Sequence, residues 1–288
     1  MHKLSFIIAL GILALGLCSC RRGAETPESV VEAMKEDVKF TASATGYLTK
    51  ASDSALEENK DVIGIFALDP IDAINVKGKV VQGGKVEPQS PIKWGLRQSY
   101  PTRFAAYMPY DETMTSADYK FYVKQDQKSF DNYEASDLRY AVADTRPGDV
   151  VDFRLQHALS KLVVVMEDGS DISAVTTKAD IVLGAGLNMV DGSLVPADRK
   201  GAVSLGKATE ASGGEGFVAI LVPQEGLFPL EVTLSSGEKL ERTLKEPVKF
   251  EPGIAYKAVI SVNSVTFRVS IIDWVDGGSM QYGRPKPI

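Results

Sequence analysis

Beyond residue 37 the hydrophobic residues of this chain alternate one by one with polar residues, in short segments that Gly and Pro interrupt. A period of two is typical of a β-strand with one buried face, because successive side chains of a strand point to opposite sides. No convincing helical pattern occurs after residue 37. The alternation is clearest at residues 38–44, 151–155 and 256–262. The chain is therefore predicted to be all-β.

Two further patterns refine the predicted strands. The continuous apolar run at residues 62–68 indicates a strand that is covered on both faces. Hairpins are predicted where strand patterns flank a turn: residues 76–81 lead into a Gly-rich turn, and residues 230–234 are joined to 239–244 by Ser-Ser-Gly-Glu. Many short strands separated by Gly and Pro turns are typical of β-sandwiches.

The 288 residues leave room for two ordinary domains. The sequence Thr-Arg-Pro-Gly-Asp at 145–149 has a turn signature, and the apolar pattern restarts after it. We therefore expect two β-sandwich domains in tandem, an N-terminal domain at residues 38–150 and a C-terminal domain at residues 151–288. A leader at residues 1–19 and a short acidic tether at residues 20–37 are expected to precede them.

The first twenty residues carry the pattern of a bacterial lipoprotein signal. Lys3 supplies a positive charge, and an apolar run too short to cross a bilayer is followed by Leu-Cys-Ser-Cys. This end resembles a lipobox, and Cys20 is the better lipid acceptor because cleavage before Cys18 would place bulky Leu17 at the small-residue position. Palmitate and further acyl chains on Cys20 would anchor the protein at the outer membrane, since each buried methylene contributes about 0.8 kcal/mol. The alternative is an ordinary secretory signal whose cysteines are incidental.

Composition narrows the chemistry that the chain can perform. The formal charge is −6 without a block of Lys and Arg, which argues against a nucleic-acid partner. His157 is the only histidine after His2, and the only cysteines are Cys18 and Cys20. A multi-histidine metal site, a disulfide and thiol chemistry are therefore not expected in the mature chain. We predict no catalytic residue, no cofactor and no metal, and a protein that is not an enzyme.

Two groups of residues keep functional alternatives open. His157 lies three residues before Ser160, and residues three apart in a strand point to opposite faces, so a core histidine is favoured over a hydrolase. Six aromatic residues of the first half form either a sugar-stacking platform or half-buried strand positions; they are Trp94, Tyr100, Tyr107, Tyr110, Tyr119 and Tyr122.

Several short segments occur in an order that resembles the fimbrillins. They are Tyr-Met-Pro-Tyr at 107–110, Phe-Arg-Leu-Gln-His-Ala-Leu-Ser-Lys-Leu at 153–162, Leu-Val-Pro-Gln at 221–224, Phe-Glu-Pro-Gly-Ile-Ala-Tyr at 250–256 and Ile-Ile-Asp-Trp at 271–274. From about residue 38 to 275, and behind a lipobox, the chain resembles the fimbrillin (Mfa-like) family of type V pilus subunits. The resemblance implies two transthyretin-like β-sandwich domains, export as a lipoprotein and assembly into a surface fimbria.

The resemblance also implies a proteolytic site. In fimbrillins a trypsin-like protease cuts after a basic residue just beyond the first strand, and a strand of the next subunit fills the groove that opens. On this chain the removable strand would be residues 38–47, and the cut would fall between Lys50 and Ala51. The family often has arginine where this chain has Lys50. Other pilus subunits are thus the implied partners, joined by backbone hydrogen bonds and alternate apolar side chains.

The sequence leaves the role within a fimbria open. The implied donor strand lies within residues 277–288, where Pro285 and Pro287 cannot donate ladder hydrogen bonds. A shaft, tip or anchor subunit would fit, as would a subunit that accepts a strand without donating one. The alternative function is a surface lipoprotein that does not polymerise and binds a glycan or host protein.

Overall fold

The computed structural model describes residues 35–44, 56–68, 71–94, 101–167, 169, 171–209, 215–272 and 274. Strands predominate among them, which confirms the predicted all-β class. Eight strands lie before residue 158: β1 (Phe40–Ala44), β2 (Val62–Leu68), β3 (Ile71–Val80), β4 (Lys85–Pro88), β5 (Thr102–Met108), β6 (Asp118–Tyr122), β7 (Arg139–Thr145) and β8 (Val151–His157). A 3₁₀ turn (Gln82–Gly84) and one short helix, α1 (Phe130–Glu134), connect some of them.

Fourteen further strands follow β8 within the described residues. They are β9 (Ser160–Met166), β10 (Ile172–Thr177), β11 (Ile181–Val182), β12 (Gly184–Asn188), β13 (Leu194–Pro196), β14 (Lys200–Gly201), β15 (Gly206–Thr209), β16 (Glu215–Leu221), β17 (Glu225–Gly226), β18 (Leu230–Leu234), β19 (Lys239–Leu244), β20 (Val248–Lys249), β21 (Ala255–Ile260) and β22 (Thr266–Ile272). In the described part of the chain, no helix has the length and apolar character that a bilayer span requires.

The helix α1 corrects the sequence analysis, which found no helical pattern after residue 37. Five residues are too few to show a helical period, so hydrophobic spacing could not have indicated it. The residue before the helix, Ser129, is the feature of the sequence that marks its start. The Ser129 hydroxyl accepts a hydrogen bond from the backbone N–H of Asn132 at 3.3 Å. Serine is among the residues preferred at this capping position.

The first strands close into a seven-stranded barrel in the order β1-β4-β3-β2-β5-β7-β8, with β8 adjacent to β1. The neighbours are antiparallel except β1 and β8, which run parallel. The interior contains a cluster of buried aromatic and aliphatic side chains, among them Phe40, Ile63, Ile65, Trp94, Phe104 and Phe153. The barrel therefore has a hydrophobic core of its own.

Two barrel strands are buried on both faces. In β2, Ile63 and Ile65 point into the barrel, whereas Phe66 packs in the larger cluster that continues through the second half of the chain. In β5, Phe104 and Tyr107 divide between the two clusters in the same way. The continuous apolar run at residues 62–68 was predicted to be such a strand, and the prediction is confirmed.

The second half is built around an eight-stranded sheet in the order β10-β18-β19-β22-β21-β9-β16-β15. A three-stranded sheet, β13-β12-β6, and the pairs β11-β14 and β17-β20 complete the structure. The predicted hairpins at β3–β4 and β18–β19 are both present, and Gly237 takes the positive φ of 88° in the second turn. The larger hydrophobic cluster lies between these sheets and the barrel.

The turn at residues 145–149 joins two neighbours in the barrel, β7 and β8. In addition, β6 pairs with β12 across the whole length of both strands, although the two lie on opposite sides of residue 150. The expected boundary near residue 150 therefore falls inside the barrel rather than between sheets. The expected division of the chain into two domains at this boundary stays a prediction.

Candidate functional site

The strand β1 occupies the position that closes the barrel. It pairs in parallel with β8 over five residues, from Phe40 opposite Val151 to Ala44 opposite Leu155. On its other side it pairs with β4 over two residues only. β1 is thus paired along its whole length with β8 and along only part of its length with β4.

The inward face of β1 and of the residue before it is deeply buried. Val38, Phe40 and Ala42 are 4%, 3% and 5% exposed. The Phe40 ring stacks on Phe153 with centroids 5.8 Å apart and meets Phe104 edge-on at 5.8 Å. At roughly 1.5 to 3 kcal/mol for each large apolar side chain, this row contributes several kcal/mol to closure of the barrel.

Polar contacts hold the outward side and the beginning of the segment. The Thr41 hydroxyl donates to Asp152 at 2.9 Å, and the backbone N–H of Val38 donates to the carbonyl of Ile92 at 2.7 Å. Asp37 and Lys93 form an exposed ion pair at 3.1 Å. Exposed pairs contribute about 0 to 1 kcal/mol, so burial of the apolar row is the larger stabilising effect.

The backbone of the β3–β4 turn approaches β1 closely. Gly84 has a φ of +72°, and a Cβ atom built at this position would lie 2.9 Å from the carbonyl oxygen of Ala42. Only glycine combines a left-handed conformation with so close an approach at no steric cost. The turn therefore fits closely against the middle of β1.

The other residues that the sequence analysis associated with processing lie outside the described part of the chain. These are the lipidation candidate Cys20, the cleavage candidates Lys50 and Ala51, and the expected donor segment 277–288. The last described residue of the first strand is Ala44, six residues before Lys50. The structure thus describes residues 38–44 of the strand that would be removed, whereas residues 45–47 of that strand lie outside the described residues and the cleavage site stays a prediction.

His157 is a buried, hydrogen-bonded histidine, as the sequence analysis favoured. Its Nδ1 lies 2.7 Å from Asp137, which also pairs with Arg139 at 2.8 Å. Its ring stacks on Trp274 with centroids 3.9 Å apart. The Ser160 hydroxyl donates to the carbonyl of Glu251. The predicted role in the core is confirmed, and Ser160 has a structural hydrogen bond of its own.

Burial, more than the neighbouring charges, favours the neutral form of the His157 imidazole. Burial lowers the pKa of His157, and this outweighs the opposing effect of the Asp137 carboxylate. Burial alone would raise the pKa of Asp137, but Arg139 and His157 hold it well below its usual value. Because an ionised Asp137 can only accept, Nδ1 of His157 carries the proton. Its Nε2 has no hydrogen-bond partner in the structure.

The six aromatic residues considered as a platform do not share one environment. Trp94, Tyr107 and Tyr119 are buried, Tyr110 is half-buried and Tyr122 is 39% exposed; Tyr100 is not among the described residues. Burial raises the pKa values of Tyr107 and Tyr119, whose hydroxyls bond to Asn75 and Asp111. Three of the five described residues of this group therefore belong to the core.

Sequence reasoning missed the neighbours of β1. The patterns identified β8 as a strand but assigned it to the other domain, and no local signal links Phe40 to Val151, which lie far apart in the chain.

Among the described residues, no three His, Cys, Asp or Glu side chains converge as a metal site would require.

These features define a class of all-β protein in which a short N-terminal strand completes the hydrophobic core of a barrel. The model of the fimbrillin-like family matches residues 49–274, which is most of the chain. The protein therefore belongs to the fimbrillin-like family, as the order of its short segments suggested. A search of curated proteins found no match.

Solved structures show the same fold. A Bacteroides ovatus protein described as a cell adhesion protein has a TM-score of 0.65 and 18% identity, covering 83% of this chain and 98% of its own. A second, from Bacteroides uniformis, has a TM-score of 0.62 and 20% identity, with coverage of 83% and 98%. The tip fimbrial protein Mfa3 of Porphyromonas gingivalis has a TM-score of 0.50 and 11% identity, with coverage of 83% and 100%.

Proposed function

We propose that this protein is a structural subunit of a cell-surface fimbria and acts by strand exchange rather than by catalysis. The observation that carries the proposal is the position of β1. This strand completes a closed barrel and covers its core with Phe40, yet it comes from the beginning of the chain. A strand in this position can be replaced by one from another molecule without a change in the order of the remaining six strands.

Loss of β1 would create a groove with strong affinity for an extended segment. The groove would be bordered by β4 and β8, whose edges would then offer unpaired backbone groups. Its floor would include Phe104 and Phe153, which contact Phe40 in the intact protein. A segment with alternate apolar residues would restore both the hydrogen bonds and the buried surface.

Cleavage after Lys50 is the step that we propose releases β1. A cut between Lys50 and Ala51 leaves β1 attached to the rest of the protein by non-covalent contacts alone. Exchange then depends on an incoming segment, for which we propose residues 277–288 of a neighbouring subunit. The neighbouring subunits are the principal partners in this scheme.

We further propose that residues 1–19 direct export and that lipid on Cys20 holds the protein at the outer membrane before cleavage. Because Cys20 precedes β1, a cut at Lys50 would remove the anchor together with the strand. An uncut molecule would stay on the membrane as an anchor, whereas a cut molecule could enter a shaft or a tip and contribute to adhesion.

Limited trypsin digestion of the folded, purified protein tests this proposal. We expect loss of the segment that ends at Lys50, with the part from Ala51 onwards intact, followed by oligomers that survive mild detergent. Intact mass would identify the cut, and size-exclusion chromatography would detect the oligomers.

A Lys50→Gln variant is the matched control, because it removes the cleavage site and leaves the described part of the molecule unchanged. It should resist removal of β1 and stay monomeric. Oligomers that form equally well from the Lys50→Gln variant, or digestion that leaves only a stable monomer lacking β1, would contradict the proposal.

A further inference from the structure

Tyr110 and Tyr122, the two described residues of the aromatic group that are not buried, line the same cleft. We call it the tyrosine cleft; it has a volume of about 590 Å³ and its walls include Lys77, Tyr110, Glu112, Lys120, Tyr122 and Lys124. This volume lies in the range of about 300 to 1,000 Å³ that is typical of small-ligand sites. Neither β1 nor its partners β4 and β8 contribute to these walls, so the cleft exists whether or not β1 is exchanged.

The strand β6 forms one wall of the tyrosine cleft, and its side chains alternate between the core and the outer surface. Tyr119 and Phe121 point into the core, whereas Lys120 and Tyr122 point outwards. Tyr122 lies opposite Gly184, and a Cβ atom on that glycine would meet the ring at 2.5 Å. The absence of a side chain at Gly184 therefore lets the Tyr122 ring lie on the neighbouring strand, which fixes its position.

A cation accompanies each of the two rings. The ammonium of Lys77 lies 5.5 Å from the centroid of Tyr110, and the guanidinium of Arg199 lies 5.3 Å from the centroid of Tyr122. These distances are within the range of a cation–π interaction. Of these residues Lys77, Tyr110 and Tyr122 line the cleft, whereas Arg199 lies outside its lining.

The balance of charge in the tyrosine cleft is opposite to that of the whole chain. The cations of the lining are Lys77, Lys120 and Lys124, and the acids that face them are Asp111 and Glu112. The Asp111 carboxylate is already occupied, because Oδ1 accepts from the backbone and hydroxyl of Thr113 and Oδ2 accepts from Tyr119. In a protein with a formal charge of −6, this local excess of positive charge favours an anionic ligand.

We propose that the tyrosine cleft binds an acidic oligosaccharide, that is, a chain of sugars that carry carboxylates. The apolar face of a sugar ring packs on an aromatic ring, and its carboxylate pairs with a nearby cation. The lining combines the Tyr110 and Tyr122 rings with the ammonium groups of three lysines, so it offers surfaces for both parts of a uronic acid unit. Glu112 can accept hydrogen bonds from sugar hydroxyls.

The aromatic rings distinguish this ligand from an acidic peptide. A peptide rich in Asp and Glu would need the lysines alone, whereas a sugar also needs the flat surfaces of Tyr110 and Tyr122. Binding of an acidic sugar should weaken as salt is added, because exposed charges are screened. It should also depend on each ring.

Calorimetric titration of the purified protein with a tetramer of α-1,4-linked galacturonate tests the proposal. We expect saturable binding that is lost with the methyl ester of the same tetramer, which keeps the sugar rings and removes the charges. Tyr110→Leu and Lys120→Gln should each weaken binding by about threefold or more. Lys245→Gln, which changes an exposed charge away from the cleft, should leave binding unchanged.

Three results would overturn the proposal. The first is no binding of galacturonate, and the second is equal binding of the methyl ester. The third is binding that Tyr110→Leu leaves intact while a poly-glutamate peptide competes fully for the site, since this would indicate an acidic protein partner instead. Circular dichroism of each variant should match that of the unaltered protein, which ensures that a loss of binding reflects the cleft.

Discussion

Phe40 is the residue through which β1 contributes most to the barrel. Its ring is almost fully buried and contacts aromatic rings from β5 and β8, so a single side chain joins three strands. A strand that is held by one large residue can bind firmly and still be exchangeable as a unit.

Replacement of Phe40 by alanine is predicted to lower the free energy of unfolding by about 3 to 5 kcal/mol, because it leaves a cavity among aromatic rings. The neighbouring Lys39 is exposed, and Lys39→Ala should change the free energy of unfolding by less than about 0.5 kcal/mol. Urea denaturation followed by far-UV circular dichroism measures both. Similar losses in the two variants would contradict a dominant role for Phe40.

His157 predicts how stability depends on pH. Burial lowers the pKa of His157 in the folded protein relative to about 6.5 in the unfolded chain. The unfolded chain therefore binds more protons, so the stability that is fully present above about pH 6.5 is lost as the pH falls through and below that value. Urea midpoints at about pH 7.5 and about pH 5.5 should show this loss.

In a His157→Gln variant the pH dependence between about pH 7.5 and 5.5 should be weaker than in the unaltered protein, because His157 is the only histidine after His2. The variant is expected to be less stable at both pH values. The quantity to compare is therefore the change in urea midpoint between the two pH values, and not the midpoint itself. An unchanged slope would mean that another group dominates in this range.

At the level of single residues, the sequence was informative about burial and less so about accessibility. The neighbours of His157 along its strand suggested a core position, which the structure confirms. The sequence could not tell the buried tyrosines of the first half from the exposed ones. Alternation places Tyr119 and Tyr122 on opposite faces of a strand but does not say which face is covered. That depends on side chains from other strands, such as Tyr107 of β5, whose ring lies 5.2 Å from the Tyr119 ring.

Among the strands, β1 is the one whose contacts are unequal at its two edges. The longer, parallel edge faces β8, and the shorter edge faces β4 and the turn that contains Gly84. Detachment of β1 from β4 breaks fewer residue pairs than detachment from β8. An incoming segment would therefore find its first free backbone groups next to β4.

Two glycines in this turn allow the contact with β1 to be measured. Gly83→Ala and Gly84→Ala each place a side chain at a positive φ, which costs about 1 to 2 kcal/mol. Gly83 has no neighbouring atom within 4 Å of its Cβ position, whereas the Cβ of Gly84→Ala would approach Ala42. We expect the larger loss of thermal stability in Gly84→Ala. Equal losses of thermal stability would show that the backbone of the turn makes no close contact with β1.

The sequence located most strands but could not give their partners. Alternation and turn chemistry are local, so both strands of the hairpin β18–β19 could be predicted, and for β3–β4 the end of the first strand and the turn could be predicted. Parallel pairs such as β1–β8 join distant segments and leave no local signature. The apolar residues at 265, 267, 269 and 271 also alternate with polar residues. Phe267 is buried, but Val265 and Ile271 are 73% and 68% exposed, because alternation shows which side chains share a face and not whether that face is covered.

Across the whole molecule, the two hydrophobic clusters share the strands β2 and β5. Side chains of one strand enter both clusters, so unfolding of the barrel would remove one wall of the neighbouring core. The two clusters are therefore expected to unfold together, even though the length and the central turn of the chain suggested two domains.

The two tryptophans report separately on these clusters, because Trp94 lies in the barrel and Trp274 lies in the other cluster. Trp94→Phe and Trp274→Phe give proteins with a single tryptophan each. In both, the urea transition measured by tryptophan fluorescence should coincide with the transition measured by far-UV circular dichroism. Non-coincident transitions within a variant would indicate that the two clusters unfold independently as separate domains.

The proposed function depends on removal and replacement of β1 when the subunit assembles. N-terminal sequencing of material sheared from the surface of intact cells would detect this removal. We expect the protein in this material to begin at Ala51. A chain that begins at a lipid-modified Cys20 and stays with the membrane, without any form that begins at Ala51, would contradict it.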